Sequence, residues 1–118
     1  MKKEGIRILV GGDYGLDIAP HGTYAKDLEH YVNLFGFSNA EALHAATSLG
    51  GKAMDPDGSL GTLEEGKLAD LVIIKGNPLE DITVLQNKEC IDTVMKDGLM
   101  YKGLLNSKNP YLLGNEIN

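Results

Sequence analysis

The stretch Ile6-Arg-Ile-Leu-Val-Gly-Gly-Asp13 decides how this chain is interpreted. Branched apolar side chains over residues 5–10 predict a buried strand, and the glycine pair ends it. The strand therefore presents Asp13 at its C-terminal end. In barrel enzymes that end of each strand lies on the catalytic face. Asp13 is thus a candidate catalytic residue, and the alternative is a turn or N-cap aspartate that follows a glycine break.

Two helices are predicted after a surface loop at residues 13–23. An apolar stripe over residues 24–35 has the spacing of one helix face, and Gly36 ends it. Ser38 and Glu41 have the spacing of a capping box, which predicts the start of an alanine-rich second helix. We expect this helix to stop at Gly50-Gly51, and its small side chains predict close packing against a neighbouring element.

The second half of the chain is predicted to be rich in β-structure. Residues 68–74 give the strongest strand signal, and Asp70 within them is expected to be a paired structural carboxylate. Residues 91–96 and 99–102 flank Asp97-Gly98, the pair favoured in a two-residue hairpin turn. Residues 105–118 are rich in Asn, Gly and Pro and are expected to form an irregular tail.

Composition excludes several classes of protein. The 118 residues carry a net charge of −6 without a basic cluster, which argues against nucleic acid as a partner. No apolar run approaches the ~20 residues of a membrane span, so a membrane partner is not expected. The single cysteine, Cys90, cannot form an internal disulfide, and we therefore expect a cytoplasmic location. A homo-oligomer is left open.

The run Gly61-Thr-Leu-Glu-Glu-Gly-Lys-Leu-Ala-Asp-Leu-Val-Ile-Ile74, followed by Gly76-Asn-Pro-Leu-Glu-Asp81, carries a family resemblance. It resembles the C-terminal signature of the metal-dependent amidohydrolase superfamily, in its imidazolonepropionase- and prolidase-like subgroup. Further pieces occur in the family's order: Gly12-Asp13, Pro20-His-Gly22, Ala40-Glu-Ala-Leu43, Ala46-Thr47 and Val94-Met-Lys-Asp-Gly98. Together they cover roughly residues 4–103.

The resemblance implies an α/β fragment of a larger fold. Residues 1–56 would form the C-terminal end of a (β/α)₈ TIM barrel, with strand eight and the helices that follow it. Residues 57–104 would form the C-terminal part of a small composite β-sandwich domain. The missing N-terminal barrel segment would then be the partner of this chain.

The resemblance also implies a function for the complete enzyme. It would hydrolyse a C–N bond in a cyclic amide, an N-acyl amino acid or a dipeptide-like substrate, with a hydroxide bound to a divalent metal, most simply zinc, as nucleophile. Asp13 matches the strand-eight aspartate that touches the metal and acts as general acid or base. A metal lowers the pKa of bound water to about 7, which suits a nearby carboxylate as proton acceptor.

The histidines depart from the family pattern. His21, His30 and His44 lack the His-x-His spacing, and a catalytic zinc usually needs about three protein ligands. We therefore expect the isolated chain to be inactive and to hold no metal. His21, in Pro-His-Gly, either lines the substrate pocket or is an exposed turn histidine. Two alternatives to the enzyme fragment are a non-catalytic binding or assembly module and an association of several copies.

Overall fold

The computed structural model describes residues 4–12 and 14–103, and its regular elements begin with helices. Helix α1 is Lys26–Asn33, and helix α2 is Asn39–His44. A π-helical segment, Ala45–Leu49, and helix α3, Gly50–Met54, continue α2 without a break. Strand β1 is Leu71–Ile74, a 3₁₀ helix is Ile82–Gln86, and strands β2 and β3 are Ile91–Lys96 and Leu99–Lys102. No helix among these residues is long and apolar enough to cross a membrane.

The N-terminal segment differs from its prediction. Residues 6–12 have no regular secondary structure, and Ile6 and Leu9 are 52% and 47% exposed. Ile8 and Val10, the alternate side chains, are half-buried against the helices. A strand needs hydrogen bonds to neighbouring strands, and a parallel barrel strand takes them on both edges. The sheet of the described residues contains only β1, β2 and β3, so this segment has no ladder to join.

The start of α2 confirms the predicted capping box. The Glu41 backbone amide donates to Ser38 Oγ over 3.2 Å, and the Ser38 amide donates to the Glu41 carboxylate over 2.8 Å. These two bonds satisfy amides that would otherwise lack a partner at the helix N-terminus. Gly36, which was predicted to end α1, lies between the two helices with φ of 70°.

The predicted stop at Gly50-Gly51 is wrong, because both glycines are helical and the helix runs on to Met54. Their role is tertiary: a Cβ on Gly51 would lie 2.6 Å from the Gly61 Cα atom and 2.7 Å from the Leu60 carbonyl oxygen. Gly61 has φ of 93°, and a Cβ on it would lie 2.7 Å from the Thr47 carbonyl oxygen of the helix. The close packing predicted from small residues is thus confirmed, with the segment around Gly61 as the neighbour.

The core lies between the helices and the 3₁₀ helix. Its buried members are apolar or aromatic side chains from four of these elements: Leu28, Tyr31, Ala42, Ala45 and Ile82. Asn39 Nδ2 donates to the Leu79 carbonyl over 3.0 Å, and Gln86 Nε2 donates to Glu29 Oε2 over 2.7 Å. These contacts attach the chain between β1 and β2 to the helices.

The antiparallel sheet has the order β1-β2-β3 and confirms the predicted hairpin. Asp97 and Gly98 both have positive φ, 49° and 74°, as a type I′ turn requires. Asp70 accepts the Asp97 backbone amide over 2.7 Å, so its predicted role as a paired structural carboxylate is also confirmed. The predicted irregular tail, residues 105–118, lies outside the described residues.

The glycine contact predicts a difference between two neighbouring substitutions. Gly51→Ala should lower the free energy of unfolding by roughly 1–3 kcal/mol, because backbone atoms must move to admit the methyl group. Gly50→Ala is the matched control, since its Cβ would meet only the Ala45 carbonyl oxygen, at 3.3 Å. We expect the control to change stability by less than about 1 kcal/mol. Urea unfolding followed by circular dichroism gives both values, and equal stability of the two variants would contradict the packing described.

Candidate functional site

The candidate site is the loop between the N-terminal segment and α1. Its centre is a tight turn in which the Gly15 amide and the Ala19 carbonyl oxygen are 2.9 Å apart. The Ala19 amide in turn donates to the Leu16 carbonyl over 2.9 Å. Gly15 has φ of 111°, a conformation that side chains other than glycine rarely adopt. The turn brings the residues on its two sides close together.

His21 lies exposed on this turn with one ring nitrogen engaged. Its Nδ1 atom is 2.8 Å from the Tyr24 hydroxyl, and its Nε2 atom would lie 3.1 Å from a Cβ on Gly15. A side chain at Gly15 would therefore press on the imidazole. The Tyr24 contact fixes the ring orientation, with Nε2 facing Gly15.

Tyr14 connects the loop to helix α1. Its ring packs edge-on against Tyr24 with centroids 4.4 Å apart and an interplanar angle of 77°. Burial, followed by a hydrogen bond to Asp27 and the charge of that carboxylate, raises the pKa of Tyr14 to about 12. The folded chain thus favours the neutral phenol, and this preference is lost as pH rises through about 12.

A second tyrosine attaches the N-terminal segment to the same helix. Tyr31 is buried on α1, and its hydroxyl donates to the Leu9 carbonyl oxygen. Burial first, and then the charge of Asp27, raises the pKa of Tyr31 above its ordinary value. The phenol therefore stays protonated and acts as the donor at neutral pH.

The predicted site residues have different outcomes. Asp13, the predicted catalytic residue and metal ligand, lies outside the described residues. His21 is in the loop as predicted, whereas His30 and His44 lie on α1 and α2. Across residues 4–12 and 14–103, no group of three or more His, Cys, Asp or Glu side chains could hold a metal ion.

Sequence reasoning missed Tyr14 and Asp27 and misjudged Tyr24. Tyr24 was expected on the first helix, but α1 begins at Lys26, and Tyr24 is 51% exposed beside His21. One signal was available: Asp27 and Tyr31 are four residues apart, so they share a helix face. The adjacency of Tyr14 to Asp13 was a second signal.

The family profile described as "Amidohydrolase family" matches residues 1–100 of this chain. Among curated proteins, the ochratoxinase of Aspergillus niger is 37% identical over 102 residues, which are 86% of this chain and 20% of that protein. The crystal structure of A. niger ochratoxinase matches with a TM-score of 0.66, over 72% of this chain and 20% of that one.

The structures of a Xaa-Pro dipeptidase and of a prolidase are also similar. A Xaa-Pro dipeptidase with methionine bound in its active site is 44% identical, with a TM-score of 0.65, over 72% of this chain and 20% of the other. A prolidase complexed with N-methylphosphonate-L-proline is 29% identical, with a TM-score of 0.75, over 86% of this chain and 24% of the other. The chain therefore spans about a fifth to a quarter of the length of these relatives.

Proposed function

Because the chain belongs to the amidohydrolase family and has prolidase-like relatives, we propose that it is the C-terminal part of a hydrolase that cleaves C–N bonds. The observation that carries this proposal is the family match over residues 1–100. The proposed substrates are cyclic amides, N-acyl amino acids and dipeptide-like molecules. The names of the relatives, an ochratoxinase and a Xaa-Pro dipeptidase, support amide hydrolysis as the reaction.

The proposed enzyme uses a divalent metal, zinc in the simplest case. The described residues do not fit a complete metal site, because they form no cluster of three ligating side chains. The remaining ligands would therefore belong to the part of the enzyme that this chain does not span. When bound, the metal would lower the pKa of a water molecule to about 7 and so make it a nucleophile at neutral pH.

Asp13 is the proposed proton carrier and the one proposed metal ligand from this chain. Its carboxylate would take a proton from the attacking water and deliver it to the leaving nitrogen. Support comes from its position in the sequence, between the apolar segment and the loop that contains His21. His21 is the proposed substrate-binding residue, because its Nδ1 is held by Tyr24 and its side chain is exposed on the same loop.

The remaining barrel segment is the proposed partner, and exposed apolar side chains support it. Ile6 and Leu9 are about half exposed, and an open cavity of about 310 Å³ lies where residues 6–8 meet the helices. Phe37 and Leu49 contribute to its lining. Exposed apolar surface of this kind is typical of a face that packs on another element. The isolated chain is accordingly proposed to be inactive.

The role of Asp13 is tested in the complete enzyme. Asp13→Asn should lower turnover by at least about a hundredfold, in line with the 10²–10⁴-fold contribution of general acid–base groups. Asp17→Asn is the matched control, an exposed aspartate of the same loop, and should leave turnover within about twofold of the wild-type value. Steady-state kinetics on an Xaa-Pro dipeptide gives both rates. Near-normal turnover of Asp13→Asn would refute the role.

The role of His21 predicts an effect on substrate affinity. His21→Gln should raise KM about five- to tenfold and leave kcat within about twofold, since one hydrogen bond to substrate is worth roughly 1 kcal/mol. His30→Gln, the matched change on α1, should leave both constants unchanged. If KM of His21→Gln equals that of the wild type, His21 is an exposed turn histidine instead.

A further inference from the structure

His21 is exposed, yet contacts within the loop hold its ring in one orientation. The Thr23 hydroxyl donates to the Pro20 carbonyl oxygen over 2.7 Å, which closes the turn that contains His21. The imidazole Nδ1 atom lies 2.8 Å from the Tyr24 hydroxyl. An exposed side chain without such contacts samples several rotamers, and ordering it during binding costs free energy. The imidazole is therefore in place before a ligand arrives.

Tyr24 is itself held by aromatic contacts. Its ring packs edge-on against the Tyr14 ring, with centroids 4.4 Å apart, and its centroid is 6.2 Å from that of the His21 ring. Edge-on ring pairs are favourable because the positive edge of one ring meets the negative face of the other. The hydroxyl that meets Nδ1 thus belongs to a side chain with a defined position.

The bond to Tyr24 bears on which nitrogen of His21 carries the proton. A neutral imidazole has one donor and one acceptor nitrogen, and the bond made by one nitrogen determines the state of the other. An imidazole lone pair is a stronger acceptor than a phenol oxygen. The favourable order of the pair is therefore the Tyr24 phenol as donor and Nδ1 as acceptor, which leaves the ring proton on Nε2.

The Nε2 atom lies beside a glycine. It faces Gly15, where a Cβ would be 3.1 Å away, so a side chain at this position would fill the space next to Nε2. Within residues 4–12 and 14–103, the side-chain hydrogen bond of His21 is the one at Nδ1, and these residues give Nε2 no partner. A proton on Nε2 therefore has its acceptor outside the described part of the chain.

We propose that Tyr24 is a positioning residue for His21, which holds the imidazole with its proton on Nε2 so that His21 donates a hydrogen bond to an oxygen atom of the substrate. The inference rests on the proposed function, because it needs His21 to touch the substrate. The proposed substrates all carry an amide carbonyl oxygen, an acceptor that matches this donor. Tyr24 touches no reacting atom and acts through His21.

The first experiment uses the complete enzyme that contains this chain, with Tyr24→Phe, which removes the hydroxyl and keeps the ring that packs on Tyr14. KM for an Xaa-Pro dipeptide should rise about three- to fivefold with kcat within about twofold, because the freed imidazole must be ordered during binding. Tyr101→Phe is the matched control, since Tyr101 is an exposed tyrosine of strand β3. Both of its kinetic constants should equal those of the wild type.

The double variant with His21→Gln separates positioning from a general structural role. Since Tyr24 acts through His21, adding Tyr24→Phe to His21→Gln should change KM by less than about 1.5-fold. A structural role would multiply the two increases in KM and would overturn the proposal. Thermal unfolding is measured on each variant.

The proton position is read by nitrogen NMR on the same enzyme, with ¹⁵N in its histidine rings. The His21 signals are those that His21→Gln lacks. We expect a protonated Nε2 and an unprotonated Nδ1 whose chemical shift shows that it accepts a hydrogen bond, and we expect Tyr24→Phe to remove that shift. A neutral His21 with its proton on Nδ1 would overturn the proposal, as would a Tyr24→Phe variant with unchanged KM.

The outcome is separable from that of the proposed function. If the complete enzyme hydrolyses no cyclic amide, N-acyl amino acid or dipeptide, the proposed function fails and the binding role of His21 fails with it. If the enzyme hydrolyses them and His21→Gln raises KM while Tyr24→Phe does not, the positioning role alone is rejected.

Discussion

The hydrogen bond from the buried Tyr31 phenol to the Leu9 carbonyl is the constraint on which the rest of the site depends. The N-terminal segment has no strand partner among the described residues, so side-chain contacts with the helices must hold it. Ile8 and Val10 pack toward the core, and Tyr31 binds the backbone between them. This attachment fixes where the loop begins. On the other side of the loop, the Tyr14 ring packs edge-on against Tyr24, just before the same helix.

The N-terminal segment, residues 6–10, is attached to the helices on one side and exposed on the other. One side of residues 6–10 is bound to the helices, and the other side leaves Ile6 and Leu9 about half exposed. An apolar segment with one covered face fits a chain that spans about a fifth of its relatives. The family match supports the proposed chemistry, and the exposed face is the proposed place where the remaining barrel would pack.

Local signals in the sequence predicted the local structure. The Ser38–Glu41 capping box and the Asp97-Gly98 turn were predictable because each depends on residues within a few positions of one another. The continuation of the helix through Gly50-Gly51 was not predictable from local signals, because glycine commonly follows the end of a helix. The two glycines instead lie where the segment around Gly61 approaches the helix closely. The strand predicted from the apolar residues 5–10 is absent, because no strand among the described residues pairs with this segment. For the same reason of distance, the bond from Tyr31 to the Leu9 carbonyl was not predictable, since the two residues are 22 positions apart.

The most direct test of the central claim is amide hydrolysis by this chain and the remaining barrel segment of the enzyme, produced separately and then mixed. Release of free proline from an Xaa-Pro dipeptide is followed in the presence of zinc. The account predicts no turnover from either part alone and measurable turnover from the mixture, with saturation as this chain approaches equal molarity. Turnover by the 118-residue chain alone, at the rate of the mixture, would contradict it.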